Sequence, residues 1–309
     1  MTVAMNRLRF GSQHFLTVIL CILALSGCAG TAPNKGTDQA AVAAKTQSNQ
    51  ITPVMLALPD AAYEAGHYDD ALHMYRELLV RDPNNTRVKL GIADCELASN
   101  DPSDANELYK ELEGDPSIHA RALQGRGIAL LKMGQNGDAE KALKDAVAAD
   151  PKLGRAWNAL GALYDANQKW DEADQAYAKA LALMPRSAAA NNNLGFSLLS
   201  QGKTNEAIKS FQTALEIDPT LQPAQMNLRI ALALGGRYDE ATAGAQGPNL
   251  PATLNNVGFA AMARGDYTKA AAYFTQSVNA SSSYEEMASK NLEELKVITG
   301  KNPNGPGGT

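Results

Sequence analysis

The chain has 309 residues, with 45% hydrophobic and 20% charged side chains, 25 Gly and 14 Pro. These ordinary proportions exclude collagen-like, mucin-like and wholly disordered chains, and a high alanine content favours closely packed helices. A formal net charge of −5 and only three cysteines argue against nucleic acid as a partner, a disulfide framework and a thiolate metal cluster.

The first 27 residues have the features of an export signal. Arg7 and Arg9 precede an apolar run over residues 15–25, which is too short to span a bilayer. The run leads into LSGC at residues 25–28, which resembles the lipobox of bacterial lipoproteins. The resemblance implies a signal peptide at 1–27, cleavage before Cys28 and lipidation of that cysteine. An ordinary secreted protein with a Cys near the cut site is the alternative.

Residues 28–50 follow as a predicted lipidated Cys and flexible tether. The segment is small and polar without periodicity, and such a coil reaches roughly 26 Å. Ala rather than Asp at position 29 implies, by the sorting rule of enteric lipoproteins, the periplasmic face of the outer membrane. Three acyl chains at Cys28 would attach the protein permanently to that membrane.

A repeat of 34 residues runs through the rest of the chain, as in Ala139, Ala173 and Ala207. One repeat reads W-x2-LG-x2-Y over 157–164, continues A-x3-Y over 173–177 and ends at Pro185, which resembles the tetratricopeptide pattern. No single helix pair buries both of its faces, so the pairs must stack. The sequence predicts an all-α, right-handed superhelix of about seven helix pairs with a C-terminal capping helix.

The predicted tetratricopeptide-repeat domain spans 51–299. Its sixth unit is five residues short, because Ala241 and Ala270 lie only 29 residues apart. In the capping helix, Tyr284, Met287, Leu292 and Leu295 are expected to cover the end of the stack, before a disordered tail at 300–309. The units and the capping helix are predicted at about 52–85, 86–119, 120–153, 154–187, 188–221, 222–250, 251–284 and 284–298.

The sequence contains no motif that predicts catalysis. His67, His73 and His119 are not spaced as metal ligands on one helix face, and no P-loop, GxSxG or HExxH motif occurs. We therefore expect neither an enzyme nor a cofactor, metal or small-molecule substrate. We expect a protein partner.

The concave face of the predicted superhelix is lined by positions two, five, six, nine, twelve and thirteen of each first helix. Asn offers donors and an acceptor to a bound backbone, while Phe and Met offer adaptable apolar area. The alternative interpretation is that the asparagines at position six belong to the repeat pattern and only brace the helix pair. The candidate protein-binding residues are Asn158, Asn192, Asn193, Phe196, Met226, Asn227, Asn255, Asn256 and Phe259. Other predicted groove positions hold Arg121, Gln124, Ile128, Arg155, Asp165, Ile230 and Met262.

One known ligand class is excluded by the same positions. Tetratricopeptide domains that bind chaperone C-termini use a carboxylate clamp with Lys and Arg on successive first helices. Ala189 and Pro223 stand where those cations would be. The clamp is therefore absent.

A C-terminal tract gives the resemblance to one family. The segment NNVGFAAMARGDY at 255–267, with Ser283-Tyr284 and Asn291-Leu292, resembles the TadD family of tight-adherence (Flp) pilus assembly lipoproteins. The resemblance implies a pilotin-like scaffold that holds a secretin or another pilus component in its groove. The alternatives are an adaptor that recruits or regulates peptidoglycan hydrolases and a component of β-barrel assembly.

Overall fold

The computed structural model describes residues 50–280 and 282–300. Within this part the chain forms fifteen α-helices and one short 3-10 helix, without a strand. The prediction of an all-α solenoid of about seven helix pairs with a last single helix is confirmed. The predicted signal peptide, Cys28, all but the last residue of the predicted tether and residues 301–309 lie outside the described residues.

Seven helix pairs follow one another, and a single helix ends the order. The first helices are α1 Pro53–Glu64, α3 Thr86–Ala98, α5 His119–Lys132, α7 Gly154–Ala166, α9 Ala188–Ser200, α11 Gln222–Leu234 and α13 Leu250–Ala263. The second helices are α2 Tyr68–Arg81, α4 Pro102–Leu112, α6 Asn136–Ala149, α8 Trp170–Leu183, α10 Thr204–Ile217, α12 Tyr238–Thr242 and α14 Tyr267–Ala280. The last helix is α15, Ser282–Thr299.

The turn inside each pair passes through one residue with a positive φ. Glycine fills this position in five pairs, because it has no Cβ to clash in the left-handed region. In the other two pairs the residues are Asn100, with φ 69°, and Gln168, with φ 54°. The five glycines are Gly66, Gly134, Gly202, Gly236 and Gly265.

Proline and aspartate separate one pair from the next. Helix α6 ends at Ala149, and Asp150 then accepts a hydrogen bond from the backbone N–H of Lys152 at 2.9 Å. Pro151 follows, and its missing N–H cannot continue the helix. The same geometry recurs after α10, where Asp218 accepts from Thr220 at 2.9 Å. The repeated prolines therefore end the second helices, as the sequence predicts.

Small residues let the two helices of a pair approach closely. A Cβ on Gly161 or on Gly195 would lie 2.6 Å from the ring of Tyr177 or Phe211, so no other residue fits without a shift of that ring. The alanine that recurs in each second helix is fully buried throughout the stack. These alanines are Ala71, Ala105, Ala139, Ala173, Ala207, Ala241 and Ala270, each 0% exposed.

The first helices form one continuous layer of the stack. Each contacts the first helix of the next pair, from α1 to α13, and α13 in turn contacts α15. Among the described residues, the second helices make no comparable contacts with one another. The layer in which neighbouring helices lie closer together is the inner side of a curved stack. The first helices therefore line the concave surface.

The sixth pair is the irregular one. Its second helix, α12, has five residues, and a 3-10 helix at Gly247–Asn249 leads directly into α13. Gly244 and Gly247 have φ of +67° and +57°, which a helix does not accommodate. This is the segment in which the sixth unit has five residues fewer than the others.

Helix α15 packs on the end of the stack, as expected for a capping helix. Leu295 is 1% exposed and contacts the cluster around Phe274, with Leu292 at its edge. Met287 is 53% exposed, so the expectation that it covers the end of the stack was wrong. The described helices include none with both the length and the apolar character needed to cross a bilayer.

We predict that Gln168→Gly stabilises the fold. Gln168 is exposed and has a positive φ that costs a residue with a Cβ roughly 1 kcal/mol. Chemical denaturation of the full chain should therefore show that the free energy of unfolding rises by about 1 kcal/mol. Gln135→Gly is the control, because Gln135 precedes α6 with a φ of −87° and gains nothing from glycine. An equal gain in both variants would contradict the explanation.

Candidate peptide-binding groove

The inner layer changes character along the stack. Position nine of the predicted repeats is acidic in the first two first helices, Asp60 and Asp94. In later ones it becomes apolar, with Ile128 in α5, Phe196 in α9 and Phe259 in α13. Arginines of the inner layer continue to Arg155 on α7. We therefore call α1 to α7 the charged N-terminal half of the inner surface and α9 to α15 its apolar C-terminal half.

In the charged half, a carboxylate, a tyrosine and an arginine form a repeated set. Asp94 accepts a hydrogen bond from the hydroxyl of Tyr109 at 2.6 Å and faces Arg121 at 3.4 Å. Asp60 accepts from the hydroxyl of Tyr75 and pairs with Arg87 at 2.7 Å in the same way. Burial, and then the nearby Asp94 carboxylate, raise the pKa of Tyr109, so its hydroxyl stays a donor. Sequence reasoning missed these sets, although the 34-residue spacing of the three residue types was visible.

Where the two halves meet, four of the candidate asparagines hydrogen-bond to one another. Asn193 Nδ2 donates to Asn158 Oδ1 at 3.2 Å, from α9 to α7. Asn227 Nδ2 donates to Asn192 Oδ1 at 3.0 Å, from α11 to α9, and Asn192 donates to Asn193 at 3.4 Å. We call these four residues the amide ladder. The ladder joins three successive first helices, so these hydrogen bonds of Asn193 and Asn227 run between neighbouring helix pairs and not within one pair, where the alternative had placed their bracing role.

The amide ladder ends at α11. The residue that would accept from Asn256, one repeat earlier, is Met226, which has no amide oxygen. The Asn256 side chain makes no hydrogen bond with the described residues and is half-buried. Its donors and acceptor are therefore available to a bound molecule.

Asn255 differs from the other candidate asparagines. It is 6% exposed, and its Oδ1 accepts a hydrogen bond from Asn291 Nδ2 at 2.8 Å. Its own Nδ2 contacts the sulfur of Met287 at 3.6 Å. The amide thus joins α13 to α15. Little of its side chain is therefore left for a bound molecule.

Two other predicted groove positions belong to the core. Gln124 is 9% exposed and accepts from the backbone N–H of Ala156 at 3.1 Å. Asp165, also 9% exposed, accepts from Tyr177 at 2.7 Å and Ser197 at 2.6 Å. Burial raises the pKa of Asp165, while these two donors oppose the rise. The expectation that both side chains line the groove was wrong, because the next helix pair covers them.

Large apolar side chains are exposed along the same inner layer. Phe259 and Met287 line a pocket of about 390 Å³ between α11, α13 and α15, which Asn256 also lines, and Met226 lines a second pocket of about 140 Å³ between α11 and α13. A soluble protein seldom exposes such a row without a partner for it. The exposed fractions are 54% for Phe196, 54% for Met226, 56% for Phe259 and 53% for Met287. We call this surface, with Ile230 and Asn256, the apolar groove.

Comparison with known proteins identifies the repeat. The model of the family described as the cilia and flagella-associated protein 70 C-terminal domain, a tetratricopeptide-repeat domain, matches residues 20–246. No curated protein matches the sequence.

No group of three or more His, Cys, Asp or Glu in the described part of the chain could hold a metal ion.

The solved structures that share the fold include two with TM-scores above 0.5. One is TTC0263, a tetratricopeptide-repeat protein of Thermus thermophilus, with a TM-score of 0.52, 23% identity and coverage of 58% of this chain and 97% of that one. The other is Cut9–Hcn1 of the APC/C, with a TM-score of 0.53, 17% identity and coverage of 88% of this chain and 58% of that one. At these identities the likeness concerns the fold alone.

We predict that Phe259→Ala leaves the folded state almost unchanged. Phe259 is 56% exposed, so its loss should change the free energy of unfolding by about 0.5 kcal/mol or less. Phe274 is 0% exposed in the next helix, and Phe274→Ala should cost about 3–5 kcal/mol. Denaturation of both variants in the full chain checks this difference. A large loss for Phe259→Ala would mean that its ring belongs to the core.

Proposed function

We propose a scaffolding function for this chain, which belongs to the tetratricopeptide-repeat family of the cilia and flagella-associated protein 70 C-terminal domain. In this function the apolar groove holds a segment of another protein. The observation that carries the proposal is the row of four large apolar side chains, all more than half exposed on the concave layer. Repeat scaffolds of this kind present extended concave surfaces to partners.

The contacts available in the groove suit an extended segment with a bulky apolar residue. That residue would enter the pocket of about 390 Å³ beside Phe259 and Met287. Asn256 supplies both donors and an acceptor to the backbone of the segment. The amide ladder holds α7, α9 and α11 in register, so the groove is formed before the partner arrives and little ordering entropy is lost.

We place this scaffold at the periplasmic face of the outer membrane, attached through lipid on Cys28. The proposal rests on the LSGC segment at 25–28 and on Ala29. A membrane anchor raises the local concentration of the groove where membrane partners assemble. Binding and release are then sufficient for function, and no chemical step is required.

For the partner we propose a secretin subunit or another component of a Flp pilus machine. The support is the tract at 255–267, which resembles the tight-adherence pilus lipoproteins. This tract includes Asn256 and Phe259 of the apolar groove, and Gly258 packs against Phe274, where a Cβ would lie 2.7 Å from the ring. The resemblance therefore covers residues that form the groove.

The first experiment tests the groove in the cell. In a strain without the gene, we expect secretin multimers and surface pili to be lost, because no groove is left to hold the secretin. The full chain and the variant Val80→Glu should restore both, since Val80 is 83% exposed on the outer helix α2. The double variant Phe196→Glu and Phe259→Glu should not restore them, because two buried charges would oppose binding.

Two results would contradict the proposal. Secretin multimers and pili that are unchanged without the gene would exclude the pilus role. Full restoration by the double groove variant would exclude the groove. If purification of the full chain from envelope extracts yields a peptidoglycan hydrolase rather than a secretin, the adaptor function replaces the pilus function.

The second experiment tests the anchor. We expect Cys28→Ser to move the protein from the membrane fraction to the soluble fraction and to abolish labelling with radioactive palmitate, because no other residue would carry the acyl chains. Cys21→Ser is the matched control, since Cys21 lies within the apolar run of the predicted signal. Membrane attachment that survives Cys28→Ser would show that the segment at 25–28 is not a lipobox.

A further inference from the structure

Two of the repeated sets of aspartate, tyrosine and arginine are complete, and the third set is incomplete. Arg155 follows Arg87 and Arg121 at the same 34-residue spacing. The aspartate that should precede it by 27 residues, as Asp60 precedes Arg87, is replaced by Ile128. The repeat thus retains the third arginine but not its acid.

In the described part of the chain, Arg155 has no acidic side chain at ion-pair distance, although the Asp94 carboxylate acts on it from farther away. It makes no ion pair within 4.0 Å among the described residues, whereas Arg87 and Arg121 both do. Its guanidinium instead lies beside the hydroxyl of Tyr63 on α1, with Asp94 farther away. Asp94 is already engaged by Tyr109 and Arg121.

The position of Arg155 is open to a ligand. The side chain is exposed to solvent, although neighbouring helices surround it. Helices α1 and α7 belong to the first and fourth pairs, so the contact between Tyr63 and Arg155 bridges the concave side. Burial raises the pKa of Tyr63, against the lowering effect of Arg155, and its hydroxyl remains a donor beside the cation.

The repeated sets hold one more arginine than they hold aspartates. The repeated sets contain three arginines and two aspartates. Two further basic side chains of these helices have acidic partners, since Lys89 pairs with Glu111 at 2.5 Å and Arg126 with Glu113 at 2.8 Å, while Lys132 donates to the backbone carbonyl of Leu97 at 2.8 Å.

We propose that Arg155, with the hydroxyl of Tyr63, binds an Asp or Glu side chain of the segment that the apolar groove holds. This inference rests on the proposed scaffolding function and deepens it. The partner segment is then bipartite, with bulky apolar residues over α9 to α15 and an acidic residue over α7. Arginine presents a planar pair of donors that matches a carboxylate. A side chain is favoured over a chain terminus because the concave layer continues past α7 in both directions.

The test uses random linear peptides displayed on phage. Each peptide is joined to the coat protein by its C-terminus, so it has no free terminal carboxylate, and its only carboxylates are those of Asp and Glu side chains. We expect the full chain to select peptides with bulky apolar residues and one Asp or Glu at a constant spacing from them. The most frequent peptide and its Glu→Gln or Asp→Asn counterpart are then synthesised with amidated C-termini. The counterpart should bind about tenfold more weakly, as for loss of one charged hydrogen-bond pair.

Protein variants assign that difference to Arg155. In Arg155→Gln the two peptides should bind equally. In Ile128→Asp they should also bind equally, because the new carboxylate would occupy Arg155 as Asp94 occupies Arg121. Ile128 is half-buried, so circular dichroism must first show that this variant folds, and Arg155→Gln suffices if it does not. Arg81→Gln, on the outer helix α2, is the control and should preserve the tenfold difference.

The outcomes separate this inference from the proposed function. Selected peptides that are apolar but not enriched in acids would overturn the role of Arg155 and leave the scaffold proposal intact. Equal binding of both peptides by the unmodified chain would do the same. Selection of no peptide would overturn both proposals.

Discussion

The structure depends on the close approach of two helices at small residues. Gly161 and Gly195 leave space for the rings of Tyr177 and Phe211, and the alanines of the second helices are fully buried. A pair built in this way still exposes apolar surface on its outer sides, so it is stable only against another pair. The stacking that follows brings the first helices together in one layer. All the polar sets and the apolar groove lie on helices whose relative positions this packing determines.

A regular repeat satisfies its own polar groups, and binding surfaces arise where the repeat changes. Asn193 and Asn227 bond to the preceding first helix, as Arg87 and Arg121 pair with the preceding acid. Each series stops where one residue is replaced by an apolar one. Met226 leaves the Asn256 amide unpaired, and Ile128 leaves Arg155 without its acid. A polar group that is held in place by its helix but lacks an internal partner is available to a ligand at little ordering cost.

The two halves of the concave surface therefore suit different chemistry on one partner. The N-terminal half offers charge, with arginines and tyrosine hydroxyls arranged by the repeat. The C-terminal half offers apolar area, and there the short α12 and the 3-10 helix bring α13 close to α11. Met287 extends this area because α15 presents its thioether to Asn255 rather than to the core. One segment that contacts both halves would be bound in a single direction along the stack.

The amino-acid sequence by itself determined the helix pairs, their number and their order, because a 34-residue period with fixed alanines, glycines and prolines leaves no other way to bury the apolar faces. It also placed Phe196, Met226 and Phe259 on the surface that the structure exposes. Only the tertiary structure decided which polar side chains are free. Periodicity assigns a residue to a helix face, but the neighbouring helix determines whether that residue is covered, as for Gln124, Asp165 and Asn255. Pairs such as Asn227 with Asn192, or the isolation of Arg155, depend on distances between helices, which the order of residues in one repeat does not contain.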